Sequence, residues 1–142
     1  LVEIAKRTTG AILPQVDRVT TGKALVNMQQ LTKQVPVAEP VFRYAARLVG
    51  ATQPNATNAL DSVQRNLRVG ASPRGLQAVI WGAKAEALLN NRKAVSIEDV
   101  RRVIFPALRH RLILNFEAQA EGVDPDMILR DILAAVPVPK VQ

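Results

Sequence analysis

Arg74 is the residue whose type and placement best suggest binding chemistry. Ser72-Pro73-Arg74 predicts a helix start, because Ser72 can cap free backbone N–H groups and Pro73 suits the first helical position. A cation at a helix start is unfavourable by about 0.3–1 kcal/mol. A phosphate from outside the chain would offset this cost, since a guanidinium can hold two phosphate oxygens at once. The alternative is a solvated surface arginine, and the local pattern does not separate the two.

Other residue types that do chemistry give no site. The sequence has no Cys, which excludes disulfides, thiolate metal sites and cysteine nucleophiles. The one histidine, His110, stands between Arg109 and Arg111, whose charges disfavour binding of a proton or a metal, so a structural or surface role is predicted. Asp124 and Asp126 fit a helix N-terminus better than a metal site. No catalytic residue and no metal site are therefore predicted.

Phosphate-binding loops are also missing from the sequence. The one Gly-Lys pair, Gly22-Lys23, is followed by Ala24 and has no Gly five residues before Gly22, so it is not a Walker A motif. No Gly-x-Gly-x-x-Gly run occurs. ATP hydrolysis by this chain alone is therefore not expected.

The elements that must position Arg74 are predicted to be helices. Five segments carry apolar residues at spacings of three and four, which is typical of amphipathic helices. They are residues 24–34, 38–52, 73–89, 97–106 and 125–136. The last three begin with capping signals, and Ser96 to Asp99 resembles a capping box. No segment shows a convincing strand-like alternation of apolar and polar residues. The pattern therefore predicts an all-α fold: a small bundle of about five helices, with a short extended stretch near Val95.

The remaining segments are less regular. Residues 1–7 resemble the end of a helix, with no initiator Met and no signal pattern, so we expect the chain to be part of a longer protein. Residues 11–22 are predicted to be an irregular linker around Pro14. Residues 60–69 permit a short helix, whereas 108–116 show no decisive period, and Pro106 is expected to kink or end the helix before it.

Composition and charge set the range of partners. The 142 residues are 48% hydrophobic but only 4% aromatic, which predicts one domain with an aliphatic core. No run approaches the roughly 20 apolar residues of a membrane span. The net charge of +7, most of it between Arg43 and Arg111, leaves open a basic helical nucleic-acid-binding module as the alternative function. In that module, the phosphate contacts would come from Arg101, Arg102, Arg109 and Arg111.

The strongest pattern is a resemblance to a known family. The run Gly70-Ala71-Ser72-Pro73-Arg74-Gly75 resembles the sensor 2 motif of MoxR-type AAA+ ATPases. Runs similar to the lid of that family are AKAEAL at 83–88, VSIEDV at 95–100, LRHRL at 108–112 and NFEA at 115–118. RTTG at 7–10 and VPVA at 35–38 resemble the segment that joins the ATPase core to the lid. The resemblance covers nearly the whole chain and favours the lid over a nucleic-acid-binding module.

The resemblance implies both a domain division and a function. Residues 38–142 would form the helical AAA+ lid, and residues 1–37 would connect it to an ATPase core that binds ATP and Mg²⁺ through Walker motifs. Arg74 would contact the γ-phosphate as the sensor 2 arginine, from a helix start that Ser72 and Pro73 position. The lid would lie beside the nucleotide of its own or a neighbouring subunit.

The same resemblance implies a setting for the parent protein. Such ATPases form rings, commonly hexameric, and act in the cytoplasm as chaperone-like remodelers. Their partners often include von Willebrand factor A-type proteins. The parent protein, rather than this chain alone, would be the ATPase.

Overall fold

The computed structural model describes residues 1–11 and 16–139. The linker predicted for residues 11–22 therefore falls partly outside the described residues, at 12–15, which include Pro14. Residues 140–142, at the end of the predicted lid, also lie outside them.

Helices dominate the described chain, as the sequence predicts. They are α1 (Val2–Thr9), α2 (Gly22–Gln34), α3 (Glu39–Gly50), α4 (Asp61–Asn66), α5 (Pro73–Leu89), α6 (Ile97–Leu108), α7 (Phe116–Ala120) and α8 (Pro125–Ala135). A 3₁₀ turn, Arg109–Arg111, follows α6. The strands β1 (Leu67–Val69) and β2 (Ile113–Leu114) pair antiparallel and form a small two-stranded sheet. The five periodic segments correspond to α2, α3, α5, α6 and α8, whereas α4 and α7 are too short to show a period.

Two local expectations differ from the structure. Val95 lies outside both strands and is buried, and its backbone N–H donates to the Pro36 carbonyl oxygen at 3.2 Å. The strand pairing forms instead between β1 and β2. These two strands are too far apart in sequence for a local pattern to predict that they pair. Pro106 does not end α6, which continues to Leu108, because the fully buried Ile104 and Leu108 hold its last turn in the core.

The core is aliphatic except for one tyrosine, and α5 and α6 pack against each other through its centre. Its largest fully buried side chains are Tyr44, Leu48, Ile104, Leu108, Ile128, Leu129 and Ile132. The hydroxyl of Tyr44 accepts a hydrogen bond from Arg101 Nη1 at 3.0 Å, which satisfies its polar end. The burial of so many methyl groups, rather than local helix propensity, is what holds the short helices in place.

The first two helices lie outside this core. Neither α1 nor α2 has a buried residue, and the apolar face predicted for residues 24–34 is about half exposed, with Leu25, Met28 and Leu31 at 49%, 57% and 54%. The core begins at Val35. Within the ranges given above, no helix is long and apolar enough to cross a membrane.

A buried polar network fixes the start of α6. The side chains of Ser96 and Asp99 each accept from the other's backbone N–H, which confirms the predicted capping box. Asp99 is 1% exposed and also pairs with both terminal nitrogens of Arg92. Burial pushes the pKa of Asp99 up, but hydrogen bonds from Arg92 and Ser96 outweigh it, so this pKa lies below its ordinary value.

Candidate anion-binding site at the start of α5

Arg74 lies in the first turn of α5, at the surface, as the sequence predicts. Within residues 1–11 and 16–139 its guanidinium forms no ion pair, whereas Arg92, Arg102 and Arg109 each pair with a carboxylate. The first turn of α5 also contains no acidic residue. The positive end of the helix and the arginine charge therefore face solvent together, which is an arrangement that favours an anion.

The helix start forms differently from the predicted cap. Ser72 is the N-cap residue by its extended backbone, with φ −76° and ψ 173°, and Pro73 follows at the first helical position. The Ser72 hydroxyl, however, accepts no hydrogen bond from the first turn. Its carbonyl oxygen instead accepts from the Gly75 N–H at 2.7 Å, so the backbone rather than the side chain closes this turn. The helix start is therefore well defined and has no side-chain acceptor from Ser72.

The chain that leads into α5 is held by the two residues that follow Ala51 at the end of α3. Thr52 is fully buried, and its Oγ1 accepts from the Ala71 N–H at 2.9 Å while donating to the Val49 carbonyl at 2.6 Å. Gln53 Nε2 donates to the Ala71 carbonyl at 2.7 Å. Both backbone polar groups of Ala71, three residues before Arg74, are thus satisfied by side chains from α3's end. We call Thr52 and Gln53 the α3 clamp.

Gly70 is required by this contact. A Cβ at position 70 would lie 2.2 Å from the Thr52 carbonyl oxygen. This distance is far shorter than a van der Waals contact, and the atom it would meet belongs to the backbone. Sequence reasoning missed the α3 clamp, because Thr52 and Gln53 lie 19 and 18 positions from Ala71. The only signal was the Gly directly before the Ala-Ser-Pro-Arg run, and it does not reveal which segment approaches.

A second arginine packs over the first turn of α5. A Cβ at Gly75 would lie 3.1 Å from Leu108 Cδ2 and 3.6 Å from Arg111 Cδ, so the stem of Arg111 lies against this turn. Arg111 Nε is buried and has no hydrogen-bond partner within the described chain. Nη1 of Arg111 contacts Nε2 of the exposed His110. The stem of Arg111 therefore lies against the first turn of α5, the turn that contains Arg74.

The neighbouring Arg109 is neutralised. It binds Asp126 through two hydrogen bonds, of 3.1 and 2.8 Å. Asp124 caps α8 by accepting from the Asp126 N–H at 2.9 Å. Both aspartates thus serve a helix start, as their positions predict. The described residues contain no cluster of three or more His, Asp or Glu that could hold a metal ion.

Comparison with known proteins assigns this chain to a family. Residues 60–132, which include α5 and both paired strands, match the AAA lid domain. The chain belongs to the AAA lid domain family. Chaperone MoxR1 of Mycobacterium tuberculosis is 30% identical over 132 residues, which cover 93% of this chain and 35% of that protein. Protein MoxR of Paracoccus denitrificans is 40% identical over 77 residues, covering 53% and 22%. This lid is therefore of the MoxR type.

A solved structure has the same fold as this lid. A protein from Cytophaga hutchinsonii that is described as a proposed ATPase superposes with a TM-score of 0.81 at 31% identity, over 98% of this chain and 42% of that one. The matched part of the chain spans between 22% and 35% of the length of these curated relatives. The predicted family and helical fold are both confirmed.

The arginines that a nucleic-acid-binding module would use mostly have partners within the lid. Arg101 donates to the Tyr44 hydroxyl, and Arg102 pairs with Glu86 at 3.0 Å. Arg109 is held by Asp126, which leaves Arg111 as the member of that set without a carboxylate partner among residues 1–11 and 16–139. Three of these four arginines therefore have partners within the described chain, where a nucleic-acid-binding module would need them free for phosphates.

Proposed function

We propose that this lid belongs to an ATP-hydrolysing, chaperone-like MoxR-type AAA+ protein, and that Arg74 is its sensor 2 arginine. The observation that carries this proposal is the placement of an exposed arginine, without a carboxylate partner in the described chain, in the first turn of a helix whose lead-in is clamped. That placement fits the γ-phosphate of ATP, because guanidinium and first-turn N–H groups both bind phosphate oxygens.

Arg74 suits a switch as well as a contact. A charge-assisted hydrogen bond contributes about 1.5–3 kcal/mol, which exceeds the 0.3–1 kcal/mol that a cation costs at a helix start. A contact with the γ-phosphate exists with ATP and is lost with ADP, so it supplies the differential affinity that a conformational change requires. Because α5 runs for 17 residues through the core of the lid, movement of its first turn moves the whole domain.

The remaining features of the parent protein are part of the same proposal. Residues 38–142 form the lid and residues 1–37 connect it to an ATPase core, whose Walker motifs bind ATP and Mg²⁺. The lid contacts that core and neighbouring subunits in a ring, commonly hexameric, in the cytoplasm. Partners are von Willebrand factor A-type proteins, and Arg74 acts on the nucleotide of its own subunit or of a neighbour.

The test is Arg74→Ala in the full-length protein. We expect steady-state ATP turnover to fall at least about ten-fold, since one charge-assisted phosphate contact is lost. The free energy of unfolding should stay the same or rise by about 0.3–1 kcal/mol, because a cation leaves the helix start. Turnover is measured by phosphate release, and stability by urea denaturation.

Arg102→Ala is the matched control. It removes an exposed arginine that pairs with Glu86. Glu86 lies twelve residues after Arg74, and so about 18 Å farther along α5. Its turnover should match the wild type. Wild-type turnover in Arg74→Ala would refute the sensor 2 assignment.

A further inference from the structure

We propose that α2 moves with the lid as one rigid body, so that the chain bends on the N-terminal side of α2 when the lid changes its orientation. The inference rests on the proposed function, since it takes the lid to move with the state of the nucleotide. It divides the connecting segment 1–37 into two parts. Residues 22–37 turn together with the lid, and the residues before them do not.

The contact between α2 and α5 is the first support. No residue of α2 is fully buried, yet the helix packs along α5. Met28 and Leu31 of α2 line a groove that they share with Leu88 of α5. At the end of α2, Lys84 Nζ donates to the Lys33 carbonyl oxygen at 3.0 Å. The last four carbonyl groups of a helix have no partner inside it, so α5 supplies one that α2 lacks.

The connection from α2 to α3 is the second support. Residues 35–38 alone separate the two helices. Val35 is 5% exposed and belongs to the core, and Val37 packs against that core. The Pro36 carbonyl oxygen accepts from the Val95 N–H at 3.2 Å. A bend at this connection would break a backbone hydrogen bond and uncover core side chains, so it is unsuited to be a hinge.

The segment before α2 lacks such contacts. Residues 16–20 lie outside every helix and strand, and all of them are exposed. Val16 and Val19, their two apolar side chains, are 90% and 96% exposed. Within the described chain, the hydrogen bond of this segment is local, from Arg18 Nε to the Thr20 carbonyl oxygen at 3.1 Å. Such a segment can change its backbone angles without uncovering core side chains, which is what a hinge requires.

The two helices then form a path from the nucleotide to the hinge. Arg74 lies in the first turn of α5, whereas the contacts with α2 lie in the second half of that helix. Packed elements move as units rather than deform continuously, so a displacement of the first turn carries α2 with it. The other end of α2 begins at Gly22, directly after the exposed segment.

The test measures distances between pairs of spin labels by electron resonance in the full-length protein, with its native cysteines replaced. Labels are attached to cysteines at three exposed positions: Lys6 on α1, Gln30 on α2 and Arg130 on α8. The pair Gln30→Cys and Arg130→Cys reports on α2 within the lid, whereas Lys6→Cys and Arg130→Cys span residues 16–20. Each pair is measured with the β,γ-imido analogue of ATP and with ADP. Urea denaturation and ATP turnover show whether the labelled proteins remain folded and active.

We expect the distance from position 30 to position 130 to be the same with both nucleotides. The distance from position 6 to position 130 should shift by about 2 Å or more, the usual scale of domain rearrangements. Adding Arg74→Ala should remove this shift. A shift that persists in Arg74→Ala would support the rigid unit of α2 and lid, and would contradict the role of Arg74.

Two outcomes would overturn the inference. If the distance from position 30 to position 130 shifts as much as the other, α2 moves relative to the lid. If neither distance shifts, the chain does not bend before α2. In both cases the proposed function is judged separately, because it stands if Arg74→Ala lowers ATP turnover and fails if turnover is unchanged.

Discussion

Thr52→Val is the substitution that most directly tests how the lid positions Arg74. Valine has nearly the shape of threonine, so it fills the same fully buried volume while removing the hydroxyl. The Ala71 N–H, in a residue that is 1% exposed, then loses its acceptor at 2.9 Å. The Val49 carbonyl loses less, because it still accepts the Thr52 backbone N–H at 3.1 Å.

The expected cost follows from that difference. One buried donor without a partner costs about 1–3 kcal/mol, so we expect Thr52→Val to lower the free energy of unfolding by about 2 kcal/mol. Thr52→Ser is the matched variant, since it keeps the hydroxyl and loses one buried methyl, at a cost of about 1 kcal/mol. Urea denaturation followed by far-UV circular dichroism measures both.

The order of the two variants decides the result. Valine should be more destabilising than serine, because the hydrogen bond to Ala71 matters more than the methyl group. If Thr52→Val retains stability within about 0.5 kcal/mol of the wild type, or if serine is the worse of the two, the hydroxyl does not hold the Ala71 segment. In the full-length protein, Thr52→Val should also lower ATP turnover while Thr52→Ser largely preserves it.

Two further predictions concern positions with little freedom. Asp99→Asn should cost about 1–2 kcal/mol, because the buried carboxylate loses its charge while the Arg92 side chain, 38% exposed, stays partly solvated. Since the pKa of Asp99 is lowered in the folded protein, its contribution is present above the unfolded value near 4 and is lost as the pH falls below it. In denaturation experiments, the free energies of unfolding of wild type and variant should therefore differ less at pH 3 than at pH 7. Equal differences at the two pH values would contradict a lowered pKa of Asp99. Gly70→Ala should cost about 3 kcal/mol by melting or urea denaturation, since its Cβ would overlap the Thr52 carbonyl, whereas Gly50→Ala, with nothing within 4 Å, should be neutral or stabilising. Equal stability of the two alanine variants would show that the contact at Gly70 is relaxed.

The sequence by itself determined the elements that rest on local rules. Apolar spacing predicts α3, α5, α6 and α8, because a helix repeats every 3.6 residues and each must turn one face to the core. The Ser96 capping box and the Asp124 cap were predictable for the same reason, since a cap involves residues only two or three apart. Arg74 was identifiable as a candidate from its position after Ser72-Pro73.

Tertiary structure alone decided the contacts between distant residues. The α3 clamp joins residues 19 and 18 positions apart, and no local pattern indicates that Gly70 must meet Thr52. In the sequence, Arg111 is one arginine of a basic run. Only the structure distinguishes it from Arg109, because the stem of Arg111 packs against Gly75. The β1–β2 pairing likewise depends on residues nearly fifty positions apart. Chain folding brings such groups together by burying apolar surface, so the geometry around Arg74 is a property of the core rather than of its own segment.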